Sequence, residues 1–239
     1  MKFLMSAVIW VCGTILTALH YYACLFFNII LSPFDKQKKI VHAQGFWWAD
    51  AFIGINPYWN LTVTGLENID HKKTYVIVAN HQSLGDIVVA YKMRMQFKWV
   101  AKESLLKIPF IGGCLVLGKH ICVTRGDFGS IKRIYREAAQ WLRKGMSVLF
   151  FPEGTRSDTD EISKFQNGAF KLAIKEKKPI LPISISGTRE AIPKGDWIFK
   201  TKVFGKLKVL PAIDTSNLET KDFTVLRDRV YTELQKAAL

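Results

Sequence analysis

The sequence predicts an α/β fold with a mixed, largely parallel central sheet flanked by helices, preceded by N-terminal membrane-associated helices. Three observations predict it. Residues 3–34 carry no Asp, Glu, Lys or Arg, short β-branched runs alternate with helical patterns from residue 60 onward, and polar motifs follow two of those runs. We therefore divide the 239 residues into an N-terminal membrane-anchoring segment, residues 1–59, and an α/β domain, residues 60–239.

The first apolar segment is long enough to reach across a membrane. A helix of about 30 residues would be about 45 Å long, against a hydrocarbon core of about 30 Å. Residues 3–31 can therefore cross with tilt, or bend and lie partly in one leaflet. The run is too long for a cleaved signal peptide and no small-x-small site ends it. Pro33 predicts where this helix ends.

Basic residues after this segment predict its orientation. Lys36, Lys38 and Lys39 outweigh the lone Lys2, so the positive-inside rule places the following domain on the cytoplasmic face of the membrane. Residues 40–59 contain six Trp, Tyr or Phe residues, which favours an interfacial helix at headgroup depth. The alternative is an amphipathic helix packed on the domain.

The composition narrows the classes of partner. The formal charge of +14 suits nucleic acid, anionic lipid or anionic small molecules. No zinc-finger spacing or RNA-binding signature supports nucleic acid, so we favour a membrane surface. The four cysteines form no Cys-x-x-Cys pair and lie in apolar runs, which predicts reduced, buried thiols in a cytoplasmic setting. These cysteines are Cys12, Cys24, Cys114 and Cys122.

Periodicity places the elements of the domain. Strands are predicted at Leu61–Thr64, Tyr75–Ala79, Phe97–Ala101, Ile121–Thr124, Met146–Phe150, Ile180–Ser184 and Lys206–Leu210. Helices are predicted at Ser83–Met93, Gly129–Lys144, Gly168–Glu176 and Lys221–Ala238. In the last helix, apolar residues recur at spacings of three and four. Strands that alternate with helices in this way predict a sheet covered on its faces.

A histidine and a carboxylate follow the second predicted strand, in the motif Asn80-His81-Gln82-Ser83-Leu84-Gly85-Asp86. On a continuous helix, a separation of five residues would place His81 and Asp86 about 140° apart. A turn entering a helix removes this difficulty, because Ser83 can cap the helix and Gly85 relaxes the backbone. Asp86 can then orient one imidazole nitrogen and leave the other as a base. Taken alone, the pair fits a structural role, as a helix cap and core contact, as well as it fits a catalytic role.

A second polar motif, Phe151-Pro152-Glu153-Gly154-Thr155-Arg156-Ser157, follows the fifth predicted strand. Glu153 can accept a hydrogen bond from a substrate hydroxyl, Gly154 permits close backbone approach, and Arg156 supplies a cation. Ligands of α/β sheets bind outside the carboxyl ends of strands. We therefore expect this motif and the histidine motif to form one site.

Arg125 directly follows the fourth predicted strand, Ile121–Thr124, and adds a second arginine to this group. A guanidinium suits a phosphate because it donates two parallel hydrogen bonds. The alternative for Arg125 is a surface ion pair with Asp127.

The motifs resemble those of the glycerolipid acyltransferases, most closely the 1-acyl-glycerol-3-phosphate (lysophosphatidic acid) acyltransferases. The resemblance covers about Tyr58 to Ser186. It rests on four motifs in order, namely His81–Asp86, Gly118–Arg125, Phe151–Ser157 and Ile180–Ile183. The fold that it implies is the glycerolipid acyltransferase fold.

The resemblance implies transfer of a fatty acyl group from an acyl thioester to the sn-2 hydroxyl of 1-acyl-glycerol-3-phosphate, which gives phosphatidic acid in phospholipid biosynthesis. It implies that His81 deprotonates the hydroxyl and that Asp86 orients His81. Pro182 is implied on the acyl-donor side. Lys102 is our own addition to the phosphate site, with a plain surface role as its alternative. The residues implied in substrate binding are Arg125, Glu153, Gly154, Thr155 and Arg156.

No metal, cofactor or covalent enzyme intermediate is expected, because the thioester is already activated. The expected partners are the lipid bilayer, lysophosphatidic acid and an acyl carrier protein or coenzyme A thioester, and the choice of donor stays open. One alternative is another acceptor: a different lysophospholipid, a lyso-aminolipid, or transacylation between phospholipids. A lysolipid-binding module without turnover would need no base such as His81. A hydrolase is disfavoured because no Gly-x-Ser-x-Gly elbow presents a serine.

Overall fold

The computed structural model of the protein describes residues 2–124, 128–157, 159, 161–192, 195–200 and 202–238. Seven strands form one sheet, in the order β1-β7-β6-β2-β5-β3-β4. The strands are β1 Trp59–Thr64, β2 Val76–Ala79, β3 Phe97–Lys102, β4 Ile121–Val123, β5 Ser147–Phe150, β6 Ile180–Ser186 and β7 Val203–Val209. All seven predicted strands are confirmed, with shifts of a few residues at their ends.

Most of the sheet is parallel, as predicted. Strands β6, β2, β5, β3 and β4 run in one direction, whereas β7 pairs antiparallel with β6 and parallel with β1. The central strand β2 lies between β6 and β5. The loops that follow β2, β5 and β6 therefore emerge at one edge of the sheet.

The described residues form seven α-helices. These are α1 Lys2–Leu31, α2 Lys39–Gly54, α3 Gly85–Ala90, α4 Ile111–Leu117, α5 Phe128–Arg143, α6 Gly168–Lys175 and α7 Phe223–Ala238. The four helices predicted in the domain are confirmed as α3, α5, α6 and α7, although α3 gives way to a 3₁₀ turn at Tyr91–Met93. Helix α4 was not predicted, because a short, wholly apolar run with two glycines has no polar face to reveal a helical period.

The hydrophobic core has two parts, one on each face of the sheet. The side chains of β2 point alternately to the two faces and so contribute to both parts. Val76 and Val78 pack with α5, α6 and α7 on one face. Ile77 and Ala79 pack with α2 and α3 on the other. Because both faces are covered, every residue of β2 is fully buried. The strand ends are held rigidly, which fixes the positions of the loops that follow them.

Helix α1 presents two different faces. Its inner face packs on the rest of the protein and carries the buried residues Ser6, Ile9, Gly13, His20 and Cys24. Its outer face exposes apolar side chains at spacings of three and four residues, namely Leu4, Val8, Val11, Ile15, Leu19, Tyr22, Phe26 and Ile29. By length and composition, α1 is able to cross a membrane. Along its length, α1 therefore has one side that contacts protein and one apolar side that is suited to contact lipid.

Helix α2 packs on the domain, as the alternative interpretation of residues 40–59 predicts. Ala49 lies in the core beside the sheet, and Val41 is also buried. Ile40 and Trp47 remain exposed on the opposite side.

One of the three lysines that predicted the orientation in the membrane is not at the surface. Lys38 is buried and its Nζ donates to Ser32 Oγ at 2.8 Å, so it adds little positive charge to the surface.

Candidate active site

The pairing of β2 with β5 brings the two polar motifs together. These strands are parallel neighbours, with Val78 opposite Phe150 near their carboxyl ends. The histidine motif leaves β2 at Asn80, whose side chain is tied to the main chain of Ile185 by two hydrogen bonds of 2.7 and 2.8 Å. The motif that leaves β5 approaches it closely, since the amide of Ser157 donates to His81 O at 2.8 Å. The two motifs therefore lie beside each other at this edge of the sheet, as expected.

His81 and Asp86 contact each other directly. His81 Nδ1 lies 2.7 Å from Asp86 Oδ2, and the histidine side chain is 14% exposed while the carboxylate is fully buried. Asp86 is in the first turn of α3, and His81 precedes the helix. The turn between them solves the angular problem of a continuous helix. With Nδ1 engaged by the carboxylate, Nε2 is the nitrogen left to accept a proton.

Four donors surround the Asp86 carboxylate. Oδ2 accepts from the amides of Gln82 at 2.6 Å and Ser83 at 2.9 Å, in addition to contacting His81. Oδ1 accepts a short hydrogen bond from Thr188 Oγ1. Donors directed at both oxygens of a carboxylate fix its orientation. Asp86 is therefore positioned to hold the imidazole and to stabilise it when protonated.

Thr188 is a contributor that the sequence analysis missed. It is 3% exposed and follows β6, the other neighbour of β2. The preceding Gly187 has φ +75°, and a Cβ there would lie 2.0 Å from Phe204 O, so only glycine fits the turn that presents Thr188. The only available signal was a Gly-Thr pair after an apolar strand, which is too common to single out.

Phe151 supports the ring of His81 from the other side. The two rings stack with centroids 4.0 Å apart and an interplanar angle of 14°. Trp99 in turn stacks on Phe151, with centroids 6.1 Å apart. The imidazole is thus held by a carboxylate at its edge and by an aromatic ring on its face, which restricts its rotation.

Glu153 accepts hydrogen bonds from the main chain of the site, which the sequence did not indicate. Its Oε1 accepts from the amide of His81 at 2.6 Å, and its Oε2 accepts from the amide of Ser163 at 2.8 Å. Burial raises the pKa of the Glu153 carboxyl above its usual value, and the two main-chain donors oppose that shift. Glu153 therefore ties the two motifs together, and its role as a substrate acceptor stays a prediction.

A cavity of about 1610 Å³ opens beside His81. Five of the predicted site residues line it together with His81, namely Lys102, Glu153, Gly154, Thr155 and Arg156. The rest of its wall is largely apolar and includes residues of α1 and α2, such as Gly13 and Phe52. Pockets for small ligands usually measure about 300–1,000 Å³, so this cavity is large enough for a long apolar ligand.

Among the described residues predicted for the site, Asp86 and Pro182 do not line this cavity. Arg125 lies outside the described residues. Pro182 is buried within β6 opposite Val78, and its carbonyl accepts from the amide of Leu210 at 3.0 Å. Pro182 is not among the described residues that line the cavity, and its assignment to the acyl-donor side stays a prediction.

An oriented histidine on the wall of a large, mainly apolar cavity defines a general-base site of the kind that activates a substrate hydroxyl. Comparison with known proteins gives the family. The chain belongs to the acyltransferase family, since residues 60–186 match the family model described as Acyltransferase.

Individual relatives agree with this assignment. A 1-acyl-sn-glycerol-3-phosphate acyltransferase of Chlamydomonas reinhardtii is 35% identical over 168 residues, which cover 70% of this chain and 50% of that protein. One of Borreliella burgdorferi is 32% identical, covering 73% of this chain and 72% of that protein. The chain spans about half the length of relatives such as the Chlamydomonas protein.

A solved structure shows the same fold. The crystal structure of the 1-acyl-sn-glycerophosphate (LPA) acyltransferase PlsC from Thermotoga maritima matches with a TM-score of 0.81 and 28% identity. The match covers 98% of this chain and 95% of that chain. The predicted family and fold are therefore confirmed. The domain boundary between residues 59 and 60 stays a prediction.

The contact between Thr188 and Asp86 predicts an effect on turnover. Thr188→Val removes the donor to Asp86 Oδ1 but keeps the shape of the side chain. A hydrogen bond to a charged group contributes roughly 1.5–3 kcal/mol, so we expect kcat for acyl transfer to fall by about tenfold or more with little change in KM. Thr188→Ser, which restores the hydroxyl, should recover most of kcat. An unchanged kcat in the valine variant would show that Asp86 is positioned without Thr188.

Proposed function

We propose that this protein transfers a fatty acyl group from an acyl thioester to the sn-2 hydroxyl of 1-acyl-glycerol-3-phosphate, forming phosphatidic acid. The observation that carries the proposal is the His81–Asp86 pair on the wall of the cavity, with Nδ1 and Oδ2 2.7 Å apart. The activities after which the Chlamydomonas, Borreliella and Thermotoga relatives are named support this reaction over other acyl transfers.

The chemistry needs one base and no additional group. Nε2 of His81 takes the proton of the sn-2 hydroxyl as its oxygen attacks the thioester carbonyl carbon. The resulting tetrahedral intermediate collapses, the C–S bond breaks, and the imidazolium returns its proton to the leaving thiolate. Asp86 stabilises the imidazolium between these two steps. Because the thioester is already activated, the transfer proceeds without a metal, a cofactor or an acyl-enzyme.

Cations beside the base support an acceptor that carries a phosphate. Lys102 and Arg156 line the same cavity as His81, and Gly154 at φ +74° leaves its backbone open to close approach. A phosphomonoester carries nearly two negative charges, which a lysine and an arginine can match. Acyl carrier protein and coenzyme A are both anionic, so the net charge of +14 suits either donor.

The outer face of α1 supports attachment to a membrane. Its exposed apolar residues recur from Leu4 to Ile29, while its inner face is packed on protein. A helix covered by protein on one side cannot be surrounded by lipid. We therefore place α1 lengthwise in one leaflet, with the domain on the cytoplasmic face, where the exposed Lys36 and Lys39 would meet anionic lipid.

The direct test is phosphatidic acid formation by the full chain in a reconstituted bilayer. The acceptor is 1-acyl-glycerol-3-phosphate, and acyl-coenzyme A and acyl carrier protein thioester are tested separately. Product with at least one donor is expected. If neither donor gave phosphatidic acid but another lysophospholipid was acylated, that lysophospholipid would be the acceptor and the proposed substrate would be wrong. Release of free fatty acid from the thioester without an acceptor would instead identify a hydrolase.

Arg156 is expected to select for the terminal phosphate. Arg156→Gln should lower kcat/KM for 1-acyl-glycerol-3-phosphate by about 10–100-fold, because a charge-assisted contact contributes roughly 1.5–3 kcal/mol. Any activity on a lysophospholipid with a phosphodiester headgroup should fall less. Arg143→Gln is the matched control, since Arg143 is exposed and pairs with Glu176. Equal losses on both acceptors would contradict recognition of a phosphomonoester by Arg156.

A further inference from the structure

Three potential metal ligands meet where α1 crosses α4. His20 and Cys24 are four residues apart on the inner face of α1, and Cys114 lies on α4. Their ligand atoms all lie within 4.8 Å of one another, and His20 Nδ1 is 3.6 Å from Cys114 Sγ. His20 and Cys24 are buried, at 7% and 2% exposed, and Cys114 is half-buried.

Packing around His20, Cys24 and Cys114 fixes their relative positions. Gly113 allows α4 to approach α1, because a Cβ there would lie 2.3 Å from the ring of Tyr21. Trp48 stacks on the imidazole of His20, with centroids 5.3 Å apart and an angle of 22°. Cys24 makes a long contact, 3.5 Å, from its Sγ to Val41 O, and a side-chain hydrogen bond with Cys114, and thiol hydrogen bonds are weak. The ligand atoms are thus brought together without strong hydrogen bonds that a metal would have to break.

The distance from His20 Nδ1 to Cys114 Sγ and the chemistry of the three ligands agree with zinc. Zn²⁺ binds sulfur at about 2.3 Å and nitrogen at about 2.0–2.1 Å in a tetrahedron, which separates the two atoms by about 3.6 Å. Two thiolates neutralise the charge of Zn²⁺ and a neutral imidazole adds none. The loaded site would therefore have no net charge, which suits a largely buried, mainly apolar position.

We propose that His20, Cys24 and Cys114 bind one Zn²⁺ ion that staples α1 to α4. All three residues line the cavity beside His81, so the fourth coordination position opens into that cavity. Binding replaces two S–H bonds with two Zn–S bonds and releases the two thiol protons. The ion takes no part in acyl transfer. Its effect is to fix the helix that carries the lipid-facing residues to the domain that carries His81.

The test uses the full-length chain in detergent micelles, without a histidine tag and under reducing conditions. The apo protein is titrated with Zn²⁺ against a chromophoric chelator, and Co²⁺ is then used as a spectroscopic substitute. One Zn²⁺ per chain is expected, and the Co²⁺ form should show thiolate-to-metal charge-transfer absorption. The midpoint of thermal unfolding should rise as free Zn²⁺ increases.

Variants assign the ligands. Cys24→Ser and Cys114→Ser should each weaken Zn²⁺ binding by about 100-fold or more, since even the loss of a group behind a ligand costs about 10–100-fold. Cys12→Ser is the matched control, because Cys12 lies on the same helix but outside the cluster. It should retain full binding.

Three results would overturn the proposal. The first is no stoichiometric Zn²⁺ uptake by the wild type, and the second is uptake that survives in Cys24→Ser and Cys114→Ser. The third is a Cys24–Cys114 disulfide in the reduced preparation, detected as two missing thiols and a mass lower by two hydrogens. The Co²⁺ spectrum of the wild type tests the site even if a serine variant fails to fold.

Discussion

His81→Ala is expected to abolish phosphatidic acid formation while leaving the fold intact. The variant removes the histidine that Asp86 orients as a base, through a contact of 2.7 Å between Nδ1 and Oδ2. General-base catalysis contributes roughly 10²–10⁴-fold in rate, so kcat should fall by at least that factor. The measurement is initial-rate formation of phosphatidic acid from 1-acyl-glycerol-3-phosphate with each thioester donor.

A second histidine provides the control for this experiment. His71 lies in an exposed turn between β1 and β2, and His71→Ala should keep full activity. The thermal unfolding midpoint of the His81→Ala variant should stay close to that of the wild type, since the side chain is partly exposed and Asp86 keeps its three other donors. Activity within tenfold of the wild type in a folded His81→Ala variant would rule out the mechanism proposed for this site.

Asp86→Asn should damage both turnover and stability. The carboxylate accepts from four donors, and an amide in its place would direct N–H groups at some of them. The imidazole would lose its orientation and the stabilisation of its protonated form, for which we expect a fall in kcat of about 10³–10⁴-fold. Because Asp86 is fully buried, the free energy of unfolding should also fall by roughly 3 kcal/mol.

The control for Asp86 is another aspartate that accepts a main-chain hydrogen bond. Asp70 is exposed, and its Oδ1 accepts from the amide of Lys72 at 2.9 Å. Asp70→Asn should leave activity unchanged and stability nearly so. If Asp86→Asn kept its kcat but lost stability, the carboxylate would have a purely structural role. Chemical denaturation and initial rates on the same preparations separate these outcomes.

Local patterns in the sequence were sufficient to predict the strands and most helices. Apolar and β-branched runs such as Tyr75–Ala79 report burial directly, because a strand covered on both faces has no polar positions. The same logic failed for Ile111–Leu117, where a helix is as apolar as a buried strand and too short to show a period. Sequence patterns also could not decide whether α2 lies at the membrane interface or packs on the domain.

The candidate site was predictable in part. His81 and Asp86 are close in sequence, so the geometry of one turn was enough to relate them. Glu153 carried an acceptor in the expected place, and the structure adds that its oxygens accept from the amides of His81 and Ser163. A carboxylate offers the same chemistry to a substrate and to a backbone amide, and only the positions of those amides distinguish the two roles.

By itself the sequence determined which segments are strands, that an apolar helix precedes them, and that a histidine–carboxylate pair follows one strand. These properties depend on neighbours within a few residues. Only the tertiary structure decided the strand order, the contact of Thr188 with a carboxylate 102 residues away, and the approach of Cys114 to a histidine 94 residues away. Such contacts are set by how the elements pack against one another, and the free energy of that packing is spread over the whole core rather than encoded in any one segment.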